Sequence, residues 1–131
     1  MTPSPEIKAQ YQRNFEARQA AQHEAAEQRR MAARRIVEAM IALVAKEFPQ
    51  ITHAYLYGSI LRVGGFRPDS DIDVAIEGGD MATCMALWRE LELRTERGWA
   101  FDVRPLESND LFSERVRLKG DLIYERAHTT A

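Results

Sequence analysis

Cysteine, glycine and long apolar runs are scarce in this sequence, and each shortage excludes a class of protein. The single cysteine, Cys84, cannot form a disulfide within the chain. No run of about 18 apolar residues is present to span a bilayer. The first six residues, Met1 to Glu6, lack the apolar stretch of a secretion signal. We therefore expect a cytoplasmic protein that does not enter a membrane.

An excess of charge of either sign is also missing. The chain has 18 Lys and Arg against 20 Asp and Glu, a net charge of −2. Such a balance gives no overall attraction to nucleic acid or to anionic membranes, so direct nucleic-acid binding is not expected. Hydrophobic residues make up 45% of the 131 residues, which is typical of one globular domain with a single core.

The sequence has no glycine before Gly58 and no proline between Pro5 and Pro49. This predicts a long helix from about Pro5 to Phe48. The second part of the helix carries an apolar stripe that should pack on a sheet, formed by Ile36, Met40, Leu43, Val44 and Phe48.

Before Arg35 the large apolar residues thin to Ile7, Tyr11 and Phe15, which are four apart on one helix face. We therefore expect residues 1–35 to be a helical extension that serves a partner or a homo-oligomer. The domain itself would cover residues 36–126, and residues 127–131 would form a flexible tail.

The remaining sequence alternates predicted strands and helices, which indicates an α/β (α+β) fold with a short mixed β-sheet. We expect helices on one face of the sheet and carboxylates on the other. The predicted strands are 51–57, 72–76, 99–106 and 122–124, and the predicted helices are 81–94 and 109–119. The helix from Met81 should bury one side, formed by Met81, Cys84, Met85, Trp88 and Leu91.

Asp71 and Asp73 are two apart in a predicted strand, so both carboxylates point to one face. Two adjacent like charges repel unless a cation neutralises them, and Mg²⁺ is a hard cation that prefers such oxygen ligands. Asp102 lies in another predicted strand, between Phe101 and Val103. If the two strands are neighbours, all three acids converge on one site.

Gly58 and Ser59 follow a predicted strand, at a place where a helix can begin. Backbone N–H groups at such a turn bind anions, and the serine hydroxyl adds a donor. The turn therefore predicts a site for the triphosphate of a nucleotide, beside the acidic metal site.

Gly58-Ser59, eleven further residues and then Asp71-Ile72-Asp73 resemble the signature of the DNA polymerase β-like nucleotidyltransferase superfamily, above all its minimal nucleotidyltransferase (MNT) branch. The resemblance runs from about residue 36 to residue 124, and Asp102 matches the third acid of the family. The commoner MNT spacing has ten residues in place of eleven. The extra residue falls near 64–65, and a longer loop there need not shift either strand.

This resemblance implies a nucleotidyltransferase fold and transfer of AMP from ATP to a hydroxyl. Gly58 and Ser59 would hold the β- and γ-phosphates, and two Mg²⁺ ions would bridge them to Asp71 and Asp73. Asp102 would complete one metal site and help to deprotonate the acceptor. The chain is also similar to the antitoxins of HEPN–MNT toxin–antitoxin systems, which implies a tyrosine of a HEPN-type ribonuclease toxin as acceptor.

Two alternatives stay open at this point. The acceptor hydroxyl could belong to a small molecule such as an aminoglycoside, with a homodimer forming the pocket. A catalytically idle module could instead neutralise its partner by contact alone. The chain has little sequence after its last predicted strand with which to enclose an acceptor, which favours a second protein as the source of the hydroxyl.

A few other polar residues have both a structural and a functional interpretation, or carry no assigned chemistry. Arg104 is two residues from Asp102 and so lies on the same strand face. It could form an ion pair with Asp102, or it could contact a phosphate or the acceptor. No chemistry is assigned to Cys84 or to the scattered histidines His23, His53 and His128. The basic cluster on the long helix is interpreted as a solvated face among glutamates; it comprises Arg29, Arg30, Arg34 and Arg35.

Overall fold

The computed structural model describes residues 2–127, and it has a four-stranded sheet with three helices. The elements are α1 (Pro5–Ala45), β1 (His53–Tyr57), a 3₁₀ turn (Gly58–Leu61), β2 (Ile72–Glu77), α2 (Met81–Arg94), β3 (Phe101–Pro105), α3 (Leu111–Lys119) and β4 (Asp121–Glu125). The strand order is β3-β2-β1-β4. β1 is antiparallel to both β2 and β4, whereas β2 and β3 are parallel. The predicted mixed sheet with a long N-terminal helix is confirmed.

α1 is one continuous helix of 41 residues. The side chain of Ser4 caps it by accepting a hydrogen bond from the N–H of Ile7, and Pro5 occupies the first turn, where its missing N–H costs nothing. The helix ends at Ala45, three residues before the predicted end at Phe48. Within residues 2–127, no helix combines the length and apolar character that crossing a bilayer requires.

The predicted apolar stripe is confirmed in part, because Val44 is buried and Met40 and Phe48 pack partly against the core. Ile36 and Leu43 are exposed, Leu43 by 64%. Neighbouring apolar residues such as Ile36 and Val37 give the helix two possible apolar stripes. Successive residues are about 100° apart around a helix, so a stripe shifted by one residue faces solvent instead of the core. The residues that pack into the core are Ala33, Val37, Ile41, Val44 and Ala45.

α1 and α2 share the core with one face of the sheet. Ile72, Val74 and Ile76 of β2 are buried there, as expected from their alternation with the acids. α2 begins at its predicted residue, capped by Asp80, whose carboxylate accepts from the N–H of Thr83. Its buried side again differs from the prediction, because Met81 and Met85 are exposed; the apolar residues that it buries are Cys84, Leu87 and Leu91.

The opposite face of the sheet carries α3, so the expectation of helices on one face alone is wrong. The ring of Phe112 meets the ring of Tyr57 edge-on, with 5.4 Å between centroids. Arg117 donates to Glu77 at the far end of β2, with an N–O distance of 2.8 Å. α3 covers only part of this face, because it has only nine residues.

The contacts of α1 with the rest of the domain begin before the predicted boundary at residue 35. Glu27 accepts a hydrogen bond from the N–H of Gly64, and Arg30 is buried against the 3₁₀ turn. One turn later, Arg34 bonds Asp121 of β4 at 3.0 Å. The part of α1 that reaches beyond the domain therefore ends before Glu27.

Deleting residues 2–24 should leave the free energy of unfolding close to that of the full chain, because Ile7, Tyr11 and Phe15 are all exposed. Deleting residues 2–31 should lower it by about 1–3 kcal/mol, because the buried carbonyl of Ile60 then loses its partner. Urea unfolding followed by tryptophan fluorescence measures both. Equal losses in the two truncations would contradict this boundary.

Candidate functional site

The parallel pairing of β2 and β3 brings two of the three predicted acids together. Asp73 and Asp102 are register partners, so their side chains leave neighbouring strands on the same face of the sheet. Asp71 lies one residue before β2 and is exposed, so it is not a strand residue as predicted. Tyr57, the last residue of β1, is the partner of Asp73 on its other side.

The electrostatics of Asp73 show that the three carboxylates interact. Partial burial, and then the charges of Asp102 and Asp71, raise the pKa of Asp73 to about 6. Burial and the same Asp73 charge raise the pKa of the Tyr57 hydroxyl above its ordinary value. The site therefore concentrates negative charge where water is partly excluded, which an incoming cation would relieve.

Gly58 lies directly against Asp73. Its φ is +82°, in the left-handed region, and a Cβ at this position would collide with Oδ2 of Asp73. Any other residue would be strained and would also displace the carboxylate. Ser59 follows in the 3₁₀ turn and is partly exposed. The Gly-Ser turn and the acids thus meet at one place, although they are far apart in the sequence.

Arg104 forms the ion pair with Asp102 that the sequence suggested. Its Nε and Nη2 lie 3.2 and 3.1 Å from Oδ2 of Asp102. The guanidinium also lies over the ring of Phe112, 5.7 Å from the centroid. The hydrogen bond with Asp102 raises the pKa of Arg104, so the group stays charged.

The three aspartates do not form a ready-made metal cluster. Across residues 2–127, no group of three Asp, Glu, His or Cys side chains is placed to hold a metal ion. Asp102 is turned toward Arg104, and Asp71 is exposed. Neighbouring strands lie about 4.8 Å apart, so Asp73 and Asp102 can approach each other by rotation of their side chains alone. Three mutually repelling carboxylates are a donor set that fits Mg²⁺.

A cavity of about 340 Å³ lies between the 3₁₀ turn and α3, next to Gly58. Its walls include the aromatic rings of Tyr57 and Phe112, and three exposed basic residues also line it: Arg62, Arg115 and Lys119. Basic groups beside a glycine turn favour an anionic ligand. A larger groove of about 660 Å³ lies between α1 and the loops that carry Phe66 and Trp99, and its lining does not include the aspartates.

The basic cluster of α1 is only partly the solvated face that the sequence predicted. Arg30 is buried, and Arg34 bonds Glu38 and Asp121, so these two are not part of a solvated basic face. Arg29 and Arg35 are exposed, as expected. Tyr57 is a further residue of the site that the sequence analysis did not assign, and its position directly before Gly58 is the signal that marks it.

Cys84 and His53, to which the sequence assigned no chemistry, both have polar partners in the structure. Cys84 is buried, and its Sγ donates to the carbonyl of Val103 at 3.3 Å. His53 lies between the carboxylates of Glu77 and Glu125. His128 lies outside the described residues, as do the last four residues of the predicted tail.

Solved structures similar to this fold include two from toxin-antitoxin systems. One is a crystal structure of a mutant of the MntA-HpeT toxin-antitoxin, in which two aspartates two positions apart are changed to glutamate; its TM-score is 0.56 at 20% identity. The other is a toxin-antitoxin with AMP-PNP, with a TM-score of 0.56 at 22% identity. Each match covers 68% of this chain and 73% of the other. At such identities, the likeness concerns the fold alone.

None of the curated proteins compared with this chain matches it. The model of the family described as Polymerase beta, Nucleotidyltransferase matches residues 39–129, which is well over half of the chain. The matched range includes the Gly58-Ser59 turn and all three aspartates. The predicted resemblance is confirmed, and the chain belongs to the polymerase β nucleotidyltransferase family.

Proposed function

We propose that this protein is a Mg²⁺-dependent nucleotidyltransferase that moves AMP from ATP onto a tyrosine of a HEPN-type toxin and so acts as its antitoxin. The observation that carries the proposal is the position of Asp73 in the sheet: its register with β3 sets it beside Asp102, and its register with β1 sets it against Gly58. Acids that lie beside a glycine turn suited to phosphate fit the transfer of a nucleotide better than either feature alone.

The donor nucleotide would bind at the 3₁₀ turn. Gly58 and Ser59 would donate to the β- and γ-phosphates of ATP, and the three basic residues of the neighbouring cavity would offset their charge. The fold neighbour with AMP-PNP supports an adenine nucleotide as the donor.

Asp71, Asp73 and Asp102 would hold Mg²⁺. When bound, the metal neutralises phosphate charge and stabilises the charge that develops on the leaving group. Asp73 is the natural centre of this set, because it interacts with both other carboxylates and lies against the glycine turn.

In the proposed reaction, the acceptor oxygen forms a bond with the α-phosphorus of ATP. The bond from that phosphorus to the bridging oxygen of the β-phosphate breaks, and pyrophosphate leaves in line with the attack. The proton of the acceptor hydroxyl passes to a carboxylate oxygen of Asp102. Arg104 holds Asp102 in the metal-free site, and Asp102 would turn away from it when it joins the metal site.

A protein acceptor agrees with the shape of the site. α3 covers only part of the carboxylate face, and Asp71 is exposed. A hydroxyl must nevertheless be held near the α-phosphate for transfer to be fast. A partner that carries the hydroxyl would also cover the open face, and the toxin-antitoxin neighbours support a toxin as that partner.

The test is to co-express the chain with a HEPN-type protein encoded beside it and to measure the mass of that purified protein by mass spectrometry. We expect one or more adenylyl groups on a toxin tyrosine. Asp71→Asn and Asp73→Asn should each lower the transfer rate by about 100-fold or more, because metal stabilisation is worth several kcal/mol. An unmodified toxin that the double variant still neutralises would replace the enzyme with a binding antitoxin.

Gly58→Ala should abolish transfer, and Gly98→Ala is its matched control. Both glycines have positive φ, so both variants should lose about 1–2 kcal/mol of stability. Only at position 58 does the added Cβ collide with Asp73; at position 98 it meets open space. Transfer assays well below both unfolding temperatures compare them. Equal activity of the two variants would remove Gly58 from the site.

The metal-free protein should lose stability relative to Asp73→Asn as pH rises. The pKa of Asp73 in the fold, about 6, is above its ordinary 3.8. The folded state therefore binds the proton more tightly, and this stabilisation is present below about pH 4 and lost as pH rises through about 6. Thermal unfolding of both proteins across this range measures the difference. A difference that is constant with pH would contradict the assigned cause.

A further inference from the structure

We propose that Glu27 and Arg30 of α1 are positioning residues for the nucleotide site. They clamp the loop that follows Gly58-Ser59 onto α1 and so fix the turn that receives the phosphates. The inference rests on the proposed function, because it assumes that the turn binds the donor nucleotide.

Arg30 is the first half of the clamp. It is only 5% exposed, and its Nη1 donates to the carbonyl of Ile60 at 2.9 Å. Its Nε and Nη2 donate to Oε2 of Glu27 at 3.0 and 2.8 Å. A buried guanidinium is costly unless its donors are paired, so this arrangement has little freedom to change. Ile60 directly follows Ser59, so its position limits that of the turn.

Glu27 is the second residue that holds the loop against α1. Its Oε1 accepts from the backbone N–H of Gly64 at 2.6 Å, while Oε2 bonds Arg30. The hydrogen bonds from Arg30 and then from Gly64 lower the pKa of Glu27, which keeps it charged. Gly64 has a φ of +74° in open space, so a glycine is required there by the backbone direction and not by crowding.

The two contacts hold both ends of one short loop. Ile60 and Gly64 are anchored to side chains three positions apart on α1, within one turn of a rigid helix. Gly64 also falls where the loop is one residue longer than the common MNT spacing. The clamp therefore orders a loop that would otherwise be free to move beside Ser59.

The test compares Arg30→Met with Arg34→Met. Both remove one guanidinium from the same helix, but Arg34 bonds Glu38 and Asp121 and makes no hydrogen bond to the loop. Two quantities are measured in the full chain well below the unfolding temperature. One is the hydrogen exchange of the backbone amides of residues 58–64, and the other is the KM for ATP against kcat.

Arg30→Met should speed exchange across residues 58–64 and raise the KM for ATP by about tenfold, since a hydrogen bond from a charged group is lost. Arg34→Met should change neither, even if the two unfolding temperatures fall equally. Glu27→Gln keeps an oxygen that can accept from Gly64, so its effects should be smaller and in the same direction. If Arg30→Met does not fold, Glu27→Gln provides the same comparison with Arg34→Met.

Equal exchange and equal KM in Arg30→Met and Arg34→Met would overturn the proposal, and Arg30 would then stabilise the fold alone. Faster exchange with an unchanged KM would overturn the link to the nucleotide. If exchange responds as expected but the wild-type chain binds no ATP, the proposed function fails and the positioning role fails with it, while the clamp of the loop stands.

Discussion

Two carboxylates of like charge, held side by side on parallel strands, are the constraint on which this structure depends. Asp73 and Asp102 are in register, and the raised pKa of Asp73 records their mutual repulsion and partial burial. The reverse face of the same two strands is apolar and buried, formed by Ile72, Val74, Phe101 and Val103. Each such side chain contributes about 1.5–3 kcal/mol on burial. The core can therefore hold the acids together without a metal.

The same strand pairing determines the surroundings of the acids. Tyr57 is the register partner of Asp73 on β1, so the chain must turn at Gly58, directly against that carboxylate. Phe112 of α3 then packs on Tyr57 and lies beneath Arg104, which pairs with Asp102. The turn at Gly58, the acids and α3 are consequently in contact with one another, and a change in the register of one strand pair would move all of them.

The strands, the place of Asp73 within β2 and that of Gly58 at the end of β1 could be predicted because their signals are local. The alternation of acids with Ile72 and Val74, and glycine at the end of β1, follow from chain geometry over a few residues. The rotation of a helix about its own axis does not follow from local chain geometry. Ile36 and Val37 are equally apolar neighbours, and only the sheet beneath α1 decides which one is buried.

The burial of Arg30 was also beyond local reasoning. Its partner Ile60 is 30 residues away, and nothing near Arg30 in the sequence distinguishes it from the exposed Arg29. Charged residues are rarely buried, so a general rule points the wrong way at this position. The same limit applies to α3, whose place on the carboxylate face depends on long-range contacts of Phe112 and Arg117.

The first part of α1, residues 5–26, extends well beyond the small domain. Residues 5–26 extend for about 33 Å at the helical rise of 1.5 Å per residue, and their large apolar side chains Ile7, Tyr11 and Phe15 are exposed. A rigid helix keeps a fixed distance between its tip and the three aspartates. A protein held at the tip would present its own surface to the aspartates at an effective concentration set by geometry. Weak affinity at the site itself would then suffice.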